Sequence, residues 1–213
     1  MGSSTKSHGE KTTYILVASH NDRIMVALTF RRATADDAPR LRDLMEHAFS
    51  TKDSRPNWTG DEELASNYTL KLESMQAALA MDGLVTFAVL NEAGDIIASA
   101  NVGKKGDDTG RIGGLIVQDG YQRGGVGGQV LTYAEEYCKR EWGVRKLSLN
   151  ALSTRTALLA WYRSREYRET GQKSAFPRDD DRFASCTIPE DLCFVEMSKD
   201  LYAGESAEKL QEK

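Results

Sequence analysis

The chain has 213 residues, of which 40% are apolar and 28% are charged, and these proportions are typical of a soluble globular protein. This length suits one medium-sized domain with tails, whose hydrophobic core is large enough to be stable without disulfides or metals. The formal net charge of -4 argues against broad nucleic-acid binding, which depends on a positive surface, and no apolar run approaches the roughly 20 residues that span a bilayer.

The cysteines and histidines suggest neither a disulfide framework nor a metal site. Cys138, Cys186 and Cys193 form an odd set without a C-x-x-C pair, which favours reduced thiols in a cytoplasmic protein. The three histidines lie far apart, and none has a ligand-type neighbour at helical spacing. The polar N-terminus lacks the apolar segment of a signal peptide. We therefore expect no metal, no membrane association and a cytoplasmic location.

The N-terminal third predicts a hairpin and two helices. Residues 1–11 are expected to be disordered, and residues 14–18 and 24–30 predict two strands around a Ser-His-Asn-Asp turn. Whether this hairpin joins the sheet or a partner chain is left open. Thr34 and Asp37 have the spacing of a capping box. The first helix that follows has the apolar stripe Leu41, Leu44, Met45 and Ala48. The second helix, expected after residue 59, has the stripe Leu64, Tyr68, Leu72, Met75 and Leu79.

The middle of the chain predicts a β-meander followed by a helix. Residues 84–102 contain two β-type runs joined by Asn-Glu-Ala-Gly-Asp, which is typical of a hairpin. A second turn is expected over residues 103–111, and a strand over residues 112–117. A glycine-rich turn then leads into a helix that ends at Trp142. Its apolar side consists of Val130, Leu131, Ala134, Cys138 and Trp142.

The C-terminal third predicts a strand over residues 144–150 and a helix over residues 155–165. A long loop over residues 171–191 precedes a last strand, Leu-Cys-Phe-Val-Glu-Met, and residues 203–213 form a charged tail. The order of the elements predicts an α/β or α+β fold, in which helices cover both faces of a mixed sheet.

The turn before the third predicted helix is the most informative segment, because residues 120–128 contain five glycines. A helix N-terminus offers unpaired N–H groups and the positive end of the helix dipole, which suits a phosphate. Glycines beside it allow positive φ and let the backbone approach an anion closely. The segment therefore predicts a pyrophosphate cradle made of main-chain N–H groups. On glycine content alone, a turn whose small residues serve only packing remains an equal alternative.

Two other phosphate-binding motifs do not fit the spacing. A dinucleotide fingerprint that uses Gly125 and Gly127 would need its third glycine at position 130, which is Val130. A Walker A loop would need a Gly-Lys-Ser/Thr ending, and neither this turn nor the segment Gly-Lys-Lys-Gly-Asp-Asp-Thr-Gly has one.

The pattern Gln-x-x-Gly-x-Gly at Gln122, Gly125 and Gly127, after a strand and at the start of a helix, resembles the acetyl-CoA motif of the GNAT superfamily of N-acetyltransferases. The resemblance covers residues 28–201 in the expected order and suggests one domain over residues 12–202. It implies a mixed, mostly antiparallel sheet of about six to seven strands, with a splayed fourth and fifth strand and helices on both faces.

The resemblance also implies a set of cofactor-binding residues and no metal. The pantetheine arm of acetyl-CoA would pair with the main chain of Leu115, Ile116 and Val117, whose amides would stabilise the oxyanion. The pyrophosphate would bind Gln122, Arg123, Gly124, Gly125, Val126, Gly127 and Gly128. Tyr162 matches the tyrosine that protonates the departing CoA thiolate, a proton transfer that suits a phenol.

Three departures from the family pattern bear on the site. Glu166 replaces the glycine that usually follows the tyrosine helix, which puts the turn geometry in question. Arg155 replaces a frequent asparagine, and it would bind a substrate carboxylate or a CoA phosphate, or else be a solvated side chain. The fourth strand has no carboxylate to serve as a general base. Glu62, Glu63 and residues 179–181 are candidates that the sequence does not rank.

The expected activity is direct acetyl transfer from acetyl-CoA to the primary amine of a small-molecule acceptor in a ternary complex. Trp58 and Phe176 would form walls of the acceptor site. Three points stay open: a non-catalytic acyl-CoA-binding or sensing domain, a protein or peptide acceptor, and a homodimer.

Overall fold

The computed structural model describes residues 12–14, 27–50, 68–180, 183 and 187–202. Within these residues, eight strands form one sheet in the spatial order β1-β2-β3-β4-β5-β6-β8-β7. The strands are β1 (Thr12–Tyr14), β2 (Leu28–Arg32), β3 (Leu84–Leu90), β4 (Ile96–Lys105), β5 (Thr109–Val117), β6 (Lys146–Leu152), β7 (Arg168–Ala175) and β8 (Cys193–Asp200).

Four α-helices accompany the sheet in the described part of the chain, and none of them is long and apolar enough to cross a membrane. They are α1 (Ala38–Ser50), α2 (Leu72–Leu79), α3 (Val126–Trp142) and α4 (Thr156–Arg163). The predicted mixed sheet with helices on both faces is confirmed.

The helices bury the two faces of the sheet in separate cores. On β3, Phe87 and Val89 point into the core beneath α3 and α4, whereas Ala88 points into the core beneath α1 and α2. This alternation follows from the two-residue period of a strand. The central strands therefore carry apolar residues on both faces. Polar residues on them, such as Ser99 and Asn101 on β4, are exceptions to this pattern.

The predicted capping box of Thr34 and Asp37 is confirmed at a short 3₁₀ turn, Ala35–Asp37, that leads directly into α1. The Asp37 carboxylate accepts a hydrogen bond from the Thr34 main-chain N–H at 2.7 Å. It also accepts two from the Arg31 guanidinium, at 2.6 and 2.8 Å. These bonds, led by the one from Arg31, lower the pKa of Asp37 below its ordinary value.

The predicted second helix is wrong in its first part, because the described residues 68–71 are not helical and α2 begins at Leu72. Tyr68 and Leu70 are buried, and the Leu70 N–H donates to the Glu46 carboxylate at 2.8 Å. This contact with α1 gives the Leu70 N–H a hydrogen-bond partner outside a helix. A tertiary contact therefore outweighs the helical spacing of the apolar residues. Residues 59–67 lie outside the described part.

The predicted loop over residues 171–191 is wrong at its start, where β7 continues to Ala175 as an edge strand of the sheet. All eight residues of β7 are exposed, so the strand has no apolar alternation that a sequence could reveal. The sheet has eight strands among the described residues, where six to seven were expected, and β7 is the additional one.

The N-terminal strand lies earlier than predicted, since β1 covers Thr12–Tyr14 and pairs antiparallel with β2 of the same chain. Residues 15–26, which include most of the predicted hairpin, lie outside the described part, as do residues 1–11 and the tail 203–213. The turn expected over residues 103–111 is shorter, because β4 extends to Lys105 and β5 begins at Thr109.

Candidate active site

The splay between β5 and β6 opens the sheet at its centre, as expected. The two strands pair in parallel only from Thr109–Lys146 to Arg111–Ser148, although they continue to Val117 and Leu152. Beyond that point no strand among the described residues pairs with β5 on this side, so its main chain can pair with an extended ligand.

A bulge interrupts the other edge of β5. Ser99 pairs with Ile116 and Asn101 pairs with Gly113, so two β5 residues lie opposite one residue of β4. Gly114 has a φ of 54°, in the left-handed region that favours glycine. A Cβ at Gly113 would lie 2.8 Å from Asn101 Oδ1, and one at Gly114 would lie 2.7 Å from Asn101 Nδ2. The two glycines therefore make room for the Asn101 amide.

The turn after β5 is fixed by Gln122. Its Nε2 donates to the Val117 carbonyl and to Asp119 Oδ1, both at 3.0 Å. The chain then turns through Gly125, whose φ of 86° is left-handed, and α3 begins at the buried Val126. These contacts hold the helix N-terminus at the end of β5, where the splay opens.

The glycines of this turn have different structural roles. Gly125 is needed for its backbone conformation, and a Cβ at Gly128 would lie 2.9 Å from the Arg165 guanidinium. A Cβ at Gly127 would meet only Val117 and Trp161, at the ordinary contact distances of 3.7 and 3.9 Å. No close protein contact accounts for glycine at position 127, which leaves room for a ligand.

A cavity of about 630 Å³ joins the splay, the turn and α4. The sequence-derived candidates that line it are Leu115, Ile116, Val117, Gln122, Arg123, Gly125, Gly127, Gly128, Arg155, Tyr162 and Phe176. Gly124 is exposed and Val126 is buried in the core, and neither lines the cavity. Trp58 lies outside the described residues.

Tyr162 is buried against the cavity, and burial raises the pKa of its phenol to about 12. The positive charge of Arg155 acts in the opposite direction. The phenol therefore keeps its proton at neutral pH, as a general acid must.

A buried network supports Tyr162 from behind. Its ring contacts that of Tyr167, whose hydroxyl donates to Glu135 Oε1 at 2.9 Å. Lys199 Nζ donates to Glu135 Oε2 at 3.1 Å. Burial is the largest of the effects that raise the pKa of Tyr167. This phenol is therefore a neutral hydrogen-bond donor that helps to hold the network together.

Glu166 keeps the turn that its glycine counterpart would form. Its φ of 71° is left-handed, and its N–H donates to the Arg163 carbonyl at 3.1 Å. The Tyr167 N–H closes the turn on the Tyr162 carbonyl at 3.1 Å. The left-handed φ strains the backbone at Glu166, and Tyr162 lines the cavity beside this turn.

Arg155 lines one end of the cavity. It precedes α4, and its guanidinium carbon lies 6.0 Å from the centre of the Phe49 ring. Around this end the cavity is lined by an aromatic group that sequence reasoning mostly missed: Phe49, Tyr68, Phe176, Phe183 and Phe194.

Arg165 is a second missed residue, at the opposite end of the cavity. Its guanidinium lies over Gly128 and 5.3 Å from the Trp161 ring centre. The i, i+4 spacing of Trp161 and Arg165 could have revealed this pair. Asn101 could not have been found in this way, because its contact with the glycines depends on strand register.

The described thiols do not suit a covalent mechanism. Cys138 is buried, and burial raises the pKa of its thiol to about 12. Cys193 is half-buried on β8. Among the residues that the structure describes, no group of three or more acidic, histidine or cysteine side chains could hold a metal ion.

Sequence comparison shows the family to which the chain belongs. The family model described as "Acetyltransferase (GNAT) family" matches residues 41–167, more than half of the chain. The protein therefore belongs to the GNAT acetyltransferase family. No curated protein sequence matches the chain significantly.

Solved structures share the fold at low sequence identity. The ribosomal-protein-alanine N-acetyltransferase from Brucella melitensis is 20% identical, with a TM-score of 0.57 over 81% of this chain and 99% of that chain. A GNAT acetyltransferase from Streptococcus pneumoniae is 18% identical, with a TM-score of 0.56 over 81% and 98%. A GNAT acetyltransferase from Elizabethkingia anophelis with acetyl-CoA bound is 17% identical, with a TM-score of 0.55 over 82% and 98%.

Proposed function

We propose that the protein is an acetyl-CoA-dependent N-acetyltransferase that acts directly on the primary amine of a small molecule in a ternary complex. One observation carries the proposal: a single cavity joins the glycine turn, the unpaired edge of β5 and the buried Tyr162. Family membership supports acetyl transfer as the reaction class. The cysteines that the structure describes, Cys138 and Cys193, are free thiols, which is consistent with a cytoplasmic location.

The residues of the turn fit a pyrophosphate. Gly127 lines the cavity with room for a closely approaching ligand. The first N–H groups of a helix have no partner within the helix, so those of α3 can donate to a phosphate. Arg123 and Arg165 line the same end of the cavity and would add positive charge. We propose that these groups hold the diphosphate part of acetyl-CoA.

The remaining residues fit the acyl end. The main chain of Leu115, Ile116 and Val117 would pair with the pantetheine arm, and an amide at the bulge would stabilise negative charge on the carbonyl oxygen. Acetyl-CoA supplies the thioester, whose C–S bond breaks as the new C–N bond forms. Tyr162 would give its proton to the sulfur, and its raised pKa is consistent with this role.

The acceptor would enter between Arg155 and the aromatic end of the cavity, where Phe176 forms one wall. The Brucella melitensis enzyme is named a ribosomal-protein-alanine N-acetyltransferase, so a protein acceptor is the alternative. A small molecule remains our proposal, because the ring contacts of Phe176 with Phe183 and Phe194 narrow this end.

Isothermal titration with acetyl-CoA, with ATP and NAD as controls, tests the cofactor site. We expect selective binding in the micromolar range, or about -8 kcal/mol. Amine-dependent release of CoA, followed with a thiol reagent, then tests transfer. If acetyl-CoA does not bind, the assignment of the turn is wrong.

A non-catalytic acyl-CoA-binding domain is the second candidate. It is favoured by β5, which carries no carboxylate that could serve as a general base. The buried and supported Tyr162 argues against it, because a sensor needs no proton donor. Acetyl-CoA binding without CoA release over a broad panel of amines would favour this candidate.

A further inference from the structure

Asn101 lies at the wall between two cavities. A second cavity of about 390 Å³ lies beneath α1 and α2, and it shares Met45, Asn101, Gly114 and Ile116 with the larger one. The shared residues surround the β5 bulge, which is where the thioester is proposed to bind. A group that reaches the bulge from the smaller cavity would meet the thioester there.

The Asn101 amide has a defined position, but its hydrogen-bonding groups are available to a ligand. It lies against Gly113 and Gly114, which have no side chains to displace it. Within the part of the chain that the structure describes, the amide makes no hydrogen bond, although the residue is half-buried. The amide lines both cavities and is not fully enclosed by protein, so water or a ligand can complete its hydrogen bonds. The arrangement therefore presents a hydrogen-bonding group to the cavity.

The smaller cavity has the lining of a site for an apolar body. Its inner wall consists of Leu41, Met45, Leu70, Met75, Ala78 and Ile116. Asn101, four hydroxyl residues and two charged residues also line the cavity; these are Thr69, Ser74, Thr86, Ser99, Lys71 and Asp180. A lining that combines an apolar wall with polar groups favours a ligand that has both an apolar body and a polar group.

We propose that Asn101 binds the amine of the acceptor, and that the acceptor is a primary amine whose apolar body occupies the smaller cavity. This proposal rests on the proposed acetyltransferase function. Asn101 Oδ1 accepts a hydrogen bond from the amine N–H, which directs the nitrogen lone pair toward the thioester carbon. The C–N bond forms as the C–S bond breaks, the proton on nitrogen leaves to solvent, and Tyr162 protonates the sulfur.

Because an amide is not a base at neutral pH, Asn101 orients the neutral amine and does not deprotonate it. The acceptor must lose its ammonium proton before it binds productively. The rate at limiting acceptor should therefore rise with pH up to the pKa of the amine itself. This dependence separates Asn101 from a catalytic carboxylate, which would give an ascending limb at lower pH.

The test uses phenethylamine as the apolar probe, with spermidine and an alanine-initiated peptide as alternatives. In the wild-type protein we expect CoA release with phenethylamine and little with the other two. Asn101→Leu keeps the size of the side chain and removes its hydrogen bonds. It should raise KM for phenethylamine at least tenfold and leave the Kd for acetyl-CoA within twofold. Asn101→Asp should restore activity and move the ascending limb of the pH profile downward.

Gln76→Leu is the matched control, because Gln76 is an exposed amide on α2 that does not line the cavity. Its KM should remain that of the wild type. If Asn101→Leu weakens acetyl-CoA binding as much as amine use, Asn101 only supports the bulge and the proposal is wrong. Preference for spermidine or the peptide in the wild-type protein would also overturn it. Both results leave acetyl-CoA binding by the wild-type protein intact, whereas a wild-type protein that does not bind acetyl-CoA would contradict the proposed function itself.

Discussion

Replacing Gly127 with alanine should separate the stability of the turn from its function. The added methyl would contact Val117 and Trp161 at 3.7 and 3.9 Å, so it fits without displacing either residue. Alanine is favoured over glycine in a helix by up to about 1 kcal/mol. For a protein of this size, that gain corresponds to a rise in Tm of about 2–4 °C.

The same methyl should weaken acetyl-CoA binding, because it projects into the cavity where the diphosphate is proposed to lie. We expect the Kd from isothermal titration to rise at least tenfold, or about 1.4 kcal/mol. Gly120→Ala is the control, since a methyl there meets no atom within 4 Å and lies outside the cavity. Unchanged affinity in Gly127→Ala would refute the cradle, and a lower Tm would mean that glycine serves packing.

Four further predictions concern Tyr162, Glu166 and Asp37. Tyr162→Phe should lower kcat by roughly 100-fold with little change in the Kd for acetyl-CoA; unchanged turnover would remove the phenol from the mechanism. Because the pKa of Tyr162 is about 12, the wild-type rate should show no loss from its ionisation up to pH 10. Glu166→Gly should stabilise the protein by about 0.5–1 kcal/mol, because it relieves a left-handed φ. Glu166→Ala keeps that strain, and equal stabilisation by both would contradict the explanation. Asp37→Asn should cost about 1–3 kcal/mol at pH 7. Because the pKa of Asp37 is lowered in the folded state, its contribution is lost as the pH falls below about 4, so the two proteins should converge in acid denaturation.

The parts of the fold that the sequence predicted correctly depend on local patterns. The β3–β4 hairpin follows from two apolar runs around Gly94, whose φ of 88° suits its turn. The start of α1 follows from Thr34 and Asp37, three residues apart. The end of α3 follows from Gly143, which has a φ of 60°. In each case the stabilising contacts join residues within a few positions of one another.

The wrong predictions involve contacts between distant residues. Leu70 has a helical position in the apolar pattern, but its N–H binds Glu46, which is 24 residues away. β7 is a strand only because β8 pairs with it, since its own residues carry no apolar alternation. Glu166 adopts a conformation that favours glycine because the surrounding turn determines it. Conformations of this kind can be assigned only from the three-dimensional structure, because the contacts that determine them are not local in sequence.

The same distinction divides the candidate site into two halves. The proposed cofactor side is built from one continuous segment, from β5 through the start of α3, so its chemistry could be inferred before the structure. The proposed acceptor side combines α1, residues 68–75, Asn101 on β4 and Phe176 after β7. No spacing rule connects these segments, and the polar group among them is recognisable only because Gly113 and Gly114 lie beneath it. Substitutions that leave the acetyl-CoA motif intact should therefore change the acceptor preference of this family member. Asn101 gives the clearest test, because its replacement should change the use of the amine without changing the binding of acetyl-CoA.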